Sequence, residues 1–122
     1  MSGITTHVLD TAAGRPAAGV AVTLERRAAD GGWRELARAR TDEDGRTGEL
    51  LPGDALAGAP RESEPGFGEY RLRFEVGEYY GRRGEATFYP YVEIVFRIAD
   101  PAQHYHVPLL LSPFGYTTYR GS

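Results

Sequence analysis

The stretch that decides the fold is EYRLRFEV, residues Glu69–Val76. Its apolar and charged residues alternate strictly, so Tyr70, Leu72, Phe74 and Val76 would face one side and the Glu and Arg residues the other. Alternation with a period of two is typical of a β-strand that has one buried and one exposed face. The segment therefore predicts a half-buried strand.

The same alternation continues outward from this strand, in YVEIVFRI at 91–98 and in VAVTLERR at 20–27. Turn sequences rich in Gly, Pro and Asp separate the apolar runs. Further strands are predicted at Thr5–Leu9, Trp33–Arg40, Tyr105–Leu111 and Tyr116–Arg120. Helical signal is limited to one short turn in GEYYGRRGEA, residues 77–86, and residues 48–68 are predicted to form a long surface loop. Seven or eight short strands without a long helical period predict an all-β sandwich.

The composition limits the classes of protein to which the chain can belong. It has 122 residues, a net charge of -3 and no cysteine. The length predicts a single domain over 1–122. The lack of cysteine excludes disulfides and thiolate metal sites. The net negative charge does not indicate the basic surface that nucleic-acid-binding proteins present. No apolar run approaches the roughly 20 residues of a membrane span, and MSGITTHVLD lacks the pattern of a signal peptide. We expect a soluble, cytoplasmic protein that binds neither nucleic acid nor membrane.

Three histidines are candidates for proton transfer, because imidazole titrates near neutral pH. His7 lies in the first predicted strand, on the face of Thr5 and Leu9. His104 and His106 are two residues apart in HYHVPLLL and so share one strand face. Their spacing also allows a metal site, although neither cysteine nor an HExxH motif supports it. For His104 alone, we favour an ordinary hydrogen-bonded surface residue.

Arg46 closes the turn sequence TDEDGR, residues 41–46. Asp-Gly is a tight-turn signal, and an isolated arginine at such a turn is usually solvated. The chain contains no GxSxG elbow, P-loop or dinucleotide fingerprint. Sequence patterns by themselves therefore predict a β-sandwich with two or three histidines that are candidates for proton transfer.

Three motifs, in order along nearly the whole chain, resemble the 5-hydroxyisourate hydrolases, the transthyretin-like proteins of purine breakdown. They are TTHVLDTAAGRPA, TDEDGR, and the end of the chain from YPYVEIVFRI to HYHVPLLLSPFGYTTYRGS. The final YRGS is the most specific, because it separates these hydrolases from transthyretin, the hormone carrier of the same fold. The departures are small: Thr117 stands where serine is common, and Phe114 where tyrosine is.

The resemblance implies a transthyretin-like sandwich of two four-stranded sheets with one short helix. It implies a hydrolase that opens the ring of 5-hydroxyisourate to 2-oxo-4-hydroxy-4-carboxy-5-ureidoimidazoline during urate degradation, with no metal and no cofactor. It also implies a homotetramer, a dimer of dimers, with active sites at the interface between dimers. Two other functions stay open: a carrier of a small aromatic ligand in the same channel, and metal binding through His104 and His106.

The resemblance assigns catalytic roles to His7, Arg46, His106 and Ser122, and substrate binding to His7, Arg46, Tyr119, Arg120 and Gly121. One imidazole would take a proton from water while the other donates a proton or holds the substrate. Arg46 would offer a planar fork of donors to a carbonyl oxygen on which negative charge grows. Which histidine acts as the base stays open. The tail is expected to be ordered, with Tyr119 in contact with the substrate.

Overall fold

The computed structural model describes residues 3–51 and 56–122. Within these ranges the regular structure is eight strands and one short helix. They are β1 Gly3–Asp10, β2 Arg15–Pro16, β3 Ala21–Arg27, β4 Trp33–Arg40, β5 Glu69–Phe74, α1 Val76–Arg82, β6 Val92–Arg97, β7 His104–Ser112 and β8 Gly115–Thr118. The predicted sandwich of two four-stranded sheets with one short helix is confirmed.

The strands form two sheets of four. The first sheet has the order β2-β1-β7-β8 and the second the order β4-β3-β5-β6. Among the described strands, only β1 and β7 pair in parallel, in a register that runs from Gly3 opposite His104 to Asp10 opposite Leu111. This pairing joins the two ends of the chain side by side in the middle of the first sheet.

The core lies between the two sheets and is built from the apolar residues of the alternating pattern. Ile4 and Val8 of β1, Leu72 of β5, and Leu109 and Leu111 of β7 are fully buried. Each such side chain stabilises the fold by about 1.5–3 kcal/mol relative to an exposed position. Thr5 and His7 of β1 and His104 and His106 of β7 face outward instead, so these four polar residues lie together on the outer face of the first sheet.

Several predicted boundaries are wrong by a few residues. The strand predicted over Glu69–Val76 ends at Phe74, because Val76 begins the helix and is buried as its first residue. The last strand, predicted over Tyr116–Arg120, covers only Gly115–Thr118. The strand β2 lies within AGRPAAG, residues 13–19, whose glycines and proline predict a turn, and its two residues are too few to show alternation.

The segment predicted as a long loop lies between β4 and β5. Part of it, 52–55, lies outside the described residues. In the rest, 48–51 and 56–68, there are turns and no strand. No helix in the part of the chain that the structure describes is long and apolar enough to cross a membrane.

Candidate active site

The two histidines that the resemblance singles out lie side by side on the outer face of the first sheet. In β1, Thr6 and Val8 are buried, so His7 between them faces outward, as its predicted strand face requires. In the same way His106 faces outward from β7. The parallel register places Thr5 opposite His106, so the two imidazoles are on neighbouring strands, offset by two residues.

A tight turn brings Arg46 to the same place. The Asp42 carboxylate accepts hydrogen bonds from the backbone N–H of Asp44 (2.9 Å) and of Arg46 (3.0 Å), and the Asp42 N–H donates to the Arg46 carbonyl (2.8 Å). Asp42 thus closes the turn on itself, as an aspartate that caps backbone donors commonly does. Arg46 then forms an antiparallel bridge with His7.

Gly45 lets this turn approach β1 closely. Its φ is +77°, in the left-handed region that glycine adopts without cost, and its carbonyl accepts a hydrogen bond from the Val8 N–H (2.8 Å). A Cβ at this position would lie 2.3 Å from the Val8 carbonyl oxygen and 3.3 Å from Cδ2 of His7. The turn can therefore lie against the His7 ring only with glycine at 45.

The end of the chain reaches the site from the opposite side. The Gly121 N–H donates to the His106 carbonyl (2.8 Å), and the two residues form an isolated antiparallel bridge. A Cβ on Gly121 would lie only 2.5 Å from Cδ2 of His106. His7, Arg46, His106 and Gly121 thus come together across the sheet, with the turn on one side and the tail on the other.

The environment of His106 favours its neutral form. The ring is half-buried, and burial lowers the pKa of His106 below its usual value of 6.5. The positive charge of Arg46, and the charges that His7 and His104 would carry, lower this pKa further. The lowered pKa favours the neutral form of His106, in which an imidazole can accept a proton.

Both histidines of the HYH sequence contact one hydroxyl. Thr5 Oγ1 lies 2.8 Å from Nδ1 of His106 and 2.9 Å from Nε2 of His104. In the described ranges no group of three or more His, Cys, Asp or Glu side chains could hold a metal ion. The Thr5 hydroxyl thus occupies one nitrogen of each of the two rings, His104 and His106, on which the metal hypothesis depends.

Two other predicted site residues of the tail, Tyr119 and Arg120, line a groove to which no histidine contributes. Tyr119 is 55% exposed, and together with Arg120 it lines a groove of about 280 Å³ at the edge of the sandwich. The Arg120 guanidinium lies 4.4 Å from the ring centroid of Tyr105 and donates to Gln103 Oε1 (2.9 Å). Ser122 is exposed. Within one chain, Tyr119 and Arg120 are thus directed along the sheet edge, whereas Gly121 lies on the His106 ring.

Much of the rest of the surface is less promising as a site. A concavity of about 720 Å³ lies on the outer face of the second sheet, away from the histidines. Its charged residues neutralise one another: Arg73, for example, pairs with Glu75 (2.7 Å) and Glu93 (3.3 Å). The open face of the first sheet instead collects imidazoles and one arginine, so we take it as the candidate active site.

Sequence reasoning missed Thr5, Asp42 and Gly45. The position of Thr5 two residues before His7 predicts a hydroxyl on the His7 face of the strand, but no sequence pattern assigns that hydroxyl a partner. For Asp42 and Gly45 the signal was present in TDEDGR, in which Asp and Gly are common capping and left-handed residues. What local patterns could not provide was the element against which this turn packs.

Comparison with known proteins places the chain in one family. The family model described as HIUase/Transthyretin family matches residues 4–121. A 5-hydroxyisourate hydrolase of Mus musculus is 48% identical over 99% of this chain and 96% of its own length. Among solved structures, a 5-hydroxyisourate hydrolase of Klebsiella pneumoniae matches with a TM-score of 0.75 and 33% identity, covering 98% of this chain and 99% of that one. Sea bream transthyretin in complex with thyroxine matches with a TM-score of 0.81 and 32% identity, covering 98% and 94%. The chain belongs to the HIUase/Transthyretin family.

Proposed function

We propose that the protein hydrolyses 5-hydroxyisourate to 2-oxo-4-hydroxy-4-carboxy-5-ureidoimidazoline, a step of urate degradation. The observation that supports this most is the cluster of His7, Arg46 and His106 on one open sheet face, in a chain that shares 48% identity with a hydrolase of that name. Fold alone would not suffice, because one fold can serve unrelated functions.

The chemistry of the cluster suits hydrolysis of a cyclic amide. A neutral imidazole takes a proton from the attacking water, and a second imidazole donates a proton to the leaving nitrogen or orients the ring. The Arg46 guanidinium provides fixed positive charge and several N–H donors where the carbonyl oxygen becomes negative. The sheet holds both imidazoles in place before the substrate arrives, and such preorganisation is the main source of this kind of stabilisation.

The tail is the second part of the proposed site. We assign substrate binding to Tyr119, Arg120 and Gly121, and a catalytic role to Ser122, alongside the cluster. The bridge between Gly121 and His106 supports this assignment, since it ties the tail to a candidate catalytic ring. Tyr119 has an apolar face and a hydroxyl, which suit a flat and polar substrate ring.

The direct test follows the decay of the substrate. 5-Hydroxyisourate is generated from urate with urate oxidase, and its absorbance is monitored with and without the protein. We expect decay to accelerate in proportion to enzyme concentration. If the decay rate equals the uncatalysed rate at every enzyme concentration, the proposed function is wrong.

Cofactor independence is part of the proposal, and a chelator tests it. The open face needs no metal for the steps above, because imidazole and guanidinium groups supply the proton transfers and the positive charge. We expect dialysis against a strong chelator to leave the rate unchanged. Loss of the rate and its recovery with zinc would instead favour metal binding through His104 and His106.

The carrier hypothesis is the main competitor, because transthyretin matches the fold as well as the hydrolase does. The sequence comparison favours the hydrolase, since the 5-hydroxyisourate hydrolase of Mus musculus is 48% identical over 99% of this chain. The chain also ends in YRGS, the hydrolase signature of the resemblance. Tight thyroxine binding together with an absence of hydrolysis would reverse this preference.

We further propose a cytoplasmic homotetramer of single-domain subunits over 1–122, with sites at the dimer–dimer interface. The open site supports assembly, since a second subunit could cover a sheet face that one chain leaves exposed. Ultracentrifugation tests the tetramer, and a stable, fully active monomer would refute it. Cell fractionation tests the location, and a single cooperative unfolding transition tests the single domain.

A further inference from the structure

Thr5 occupies a position in the cluster to which no role has yet been given. It lies opposite His106 in the parallel register of β1 and β7, on the outer face of the first sheet. Its hydroxyl contacts Nδ1 of His106 at 2.8 Å and Nε2 of His104 at 2.9 Å. The hydroxyl therefore joins the candidate catalytic ring to the exposed histidine beside it.

The number of hydrogens limits how these two bonds can be made. A threonine hydroxyl has one hydrogen to donate and two lone pairs, and a neutral imidazole has one N–H and one acceptor nitrogen. At least one of the two ring nitrogens must therefore donate to Thr5. In one arrangement His106 Nδ1 donates to the Thr5 oxygen and the Thr5 hydroxyl donates to His104. In a second arrangement the ring nitrogens of His106 and His104 both donate to the Thr5 oxygen. In the remaining arrangement only His104 donates, and the hydroxyl donates to His106.

The far nitrogen of His106 distinguishes these arrangements. Within the described residues, 3–51 and 56–122, no hydrogen bond is formed with Nε2 of His106, so this atom is left for water or substrate. If Nδ1 donates to Thr5, Nε2 holds a lone pair and can accept a proton. If Nδ1 accepts from Thr5, Nε2 already holds a hydrogen and cannot act as a base.

We propose that Thr5 is a positioning residue of the active site: its oxygen accepts the Nδ1–H of His106 and so holds Nε2 unprotonated toward the substrate. When Nε2 takes a proton, both ring nitrogens must donate, and the Nδ1 bond to Thr5 then needs no rearrangement. A hydrogen bond that fixes the tautomer of a histidine is a common way to prepare it for proton transfer. This inference rests on the proposed hydrolysis and assigns the base to His106.

The charged groups around His106 are compatible with this role. The charged groups that act on the ring are His7 of β1, His104 of β7 and Arg46 of the turn that follows β4. The tail adds Gly121, which has no ionisable side chain, and Arg120, whose guanidinium lies over Tyr105. Among the described residues, the charged groups that act on the ring are all cationic when ionised, and the Thr5 hydroxyl is the hydrogen-bond partner of Nδ1.

The test compares Thr5→Val with Thr5→Ser. Valine keeps the branched shape that suits a strand but has no hydroxyl, whereas serine keeps the hydroxyl. Thr117→Val, on the exposed face of β8, is the matched control for a Thr-to-Val change. For each protein we would measure kcat, KM and the pH profile of kcat/KM, and record ¹⁵N NMR shifts of the His106 ring, which report which nitrogen is protonated.

We expect Thr5→Val to lower kcat by about tenfold to a hundredfold with little change in KM, as is typical when a supporting hydrogen bond to a functional histidine is lost. In the wild type, Nδ1 of neutral His106 should carry the hydrogen, and in Thr5→Val the hydrogen should move to Nε2. The acid limb of the kcat/KM profile should also shift to lower pH, because the imidazolium of His106 loses an acceptor and its pKa falls. Thr5→Ser and Thr117→Val should behave like the wild type.

Two results would overturn the proposal. One is a Thr5→Val protein whose His106 shifts and pH profile equal those of the wild type, even if its rate is lower, since Thr5 would then act only through folding. The other is a hydrogen on Nε2 of His106 in the wild type. If the wild type fails to hydrolyse 5-hydroxyisourate, the proposed function fails, and the NMR comparison still decides the role of Thr5.

Discussion

Replacing Gly121 by alanine tests whether the tail must lie against the His106 ring. The added Cβ would lie 2.5 Å from Cδ2 and 3.3 Å from Cγ of His106, and 3.3 Å from Cγ of Pro108. Carbon atoms in contact prefer a separation of about 3.5–4.0 Å, so ring and tail must separate by roughly 1 Å. The ring resists movement because Thr5 holds its Nδ1 at 2.8 Å, and the tail resists because the Gly121 N–H donates to the His106 carbonyl at 2.8 Å.

Either movement misplaces a group of the proposed site. A displacement of about 1 Å can lower an enzyme's rate by about a hundredfold, which corresponds to about 2.7 kcal/mol in the activation free energy. We therefore expect Gly121→Ala to lower kcat/KM for 5-hydroxyisourate by about two orders of magnitude. Its melting temperature should stay close to that of the wild type, because the substitution is outside the core.

The matched control is Gly115→Ala at the start of β8. A Cβ at Gly115 would meet only Ser112 Oγ, at an ordinary distance of 3.7 Å, so this variant should keep wild-type activity. The assay is the decay of 5-hydroxyisourate generated by urate oxidase, with circular dichroism to check the fold. Unchanged kcat/KM in Gly121→Ala would refute the reasoning, because the contact between tail and ring would then have no part in turnover.

Three further predictions concern the other proposed site residues. His7→Ala and His106→Ala should each lower kcat by about a hundredfold or more, as for a general acid or base, whereas His104→Ala should stay near wild type; an inactive His104→Ala beside an active His106→Ala would contradict this assignment. Arg46→Gln should raise the pKa of His106 in an NMR titration, because it removes a cation that disfavours the imidazolium, and an unchanged or lower pKa would contradict the lowering by Arg46. Deletion of Tyr119–Ser122 should abolish most turnover while thermal melting still shows a folded sandwich, and near-normal turnover would show that the tail is dispensable.

The strands could be predicted because their signal is local. In β5 the alternation of apolar and charged residues is complete within six residues, and burial follows it position by position. The end of this strand could not be predicted in the same way. Val76 continues the alternation and is buried, yet it is the first residue of the helix, and a buried apolar residue looks alike in both elements.

The assembly of the site could not be predicted from local patterns, because it depends on pairing between distant residues. Thr5 and His106 are 101 residues apart in the chain and become neighbours only through the parallel pairing of β1 with β7. Nothing within either segment specifies that partner. The same holds for the contact of Gly121 with the His106 ring, since a glycine gives no periodic signal. The resemblance to a family indicated His106 and Gly121 but not Thr5, and the structure supplies the physical contacts between the three residues.

The charges of the cluster favour a hydrolytic site over a site that only binds an anion. Binding an anion would gain from every positive charge, including that of a protonated His106. Here burial and the nearby Arg46, His7 and His104 lower the pKa of His106, which favours its neutral form, and the guanidinium of Arg46 carries a fixed charge. A neutral imidazole beside a permanent cation can accept a proton while the cation stabilises the negative charge that develops on oxygen. Because the pKa is lowered, the neutral base persists below pH 6.5 and is lost only as the pH falls through the pKa of the folded protein.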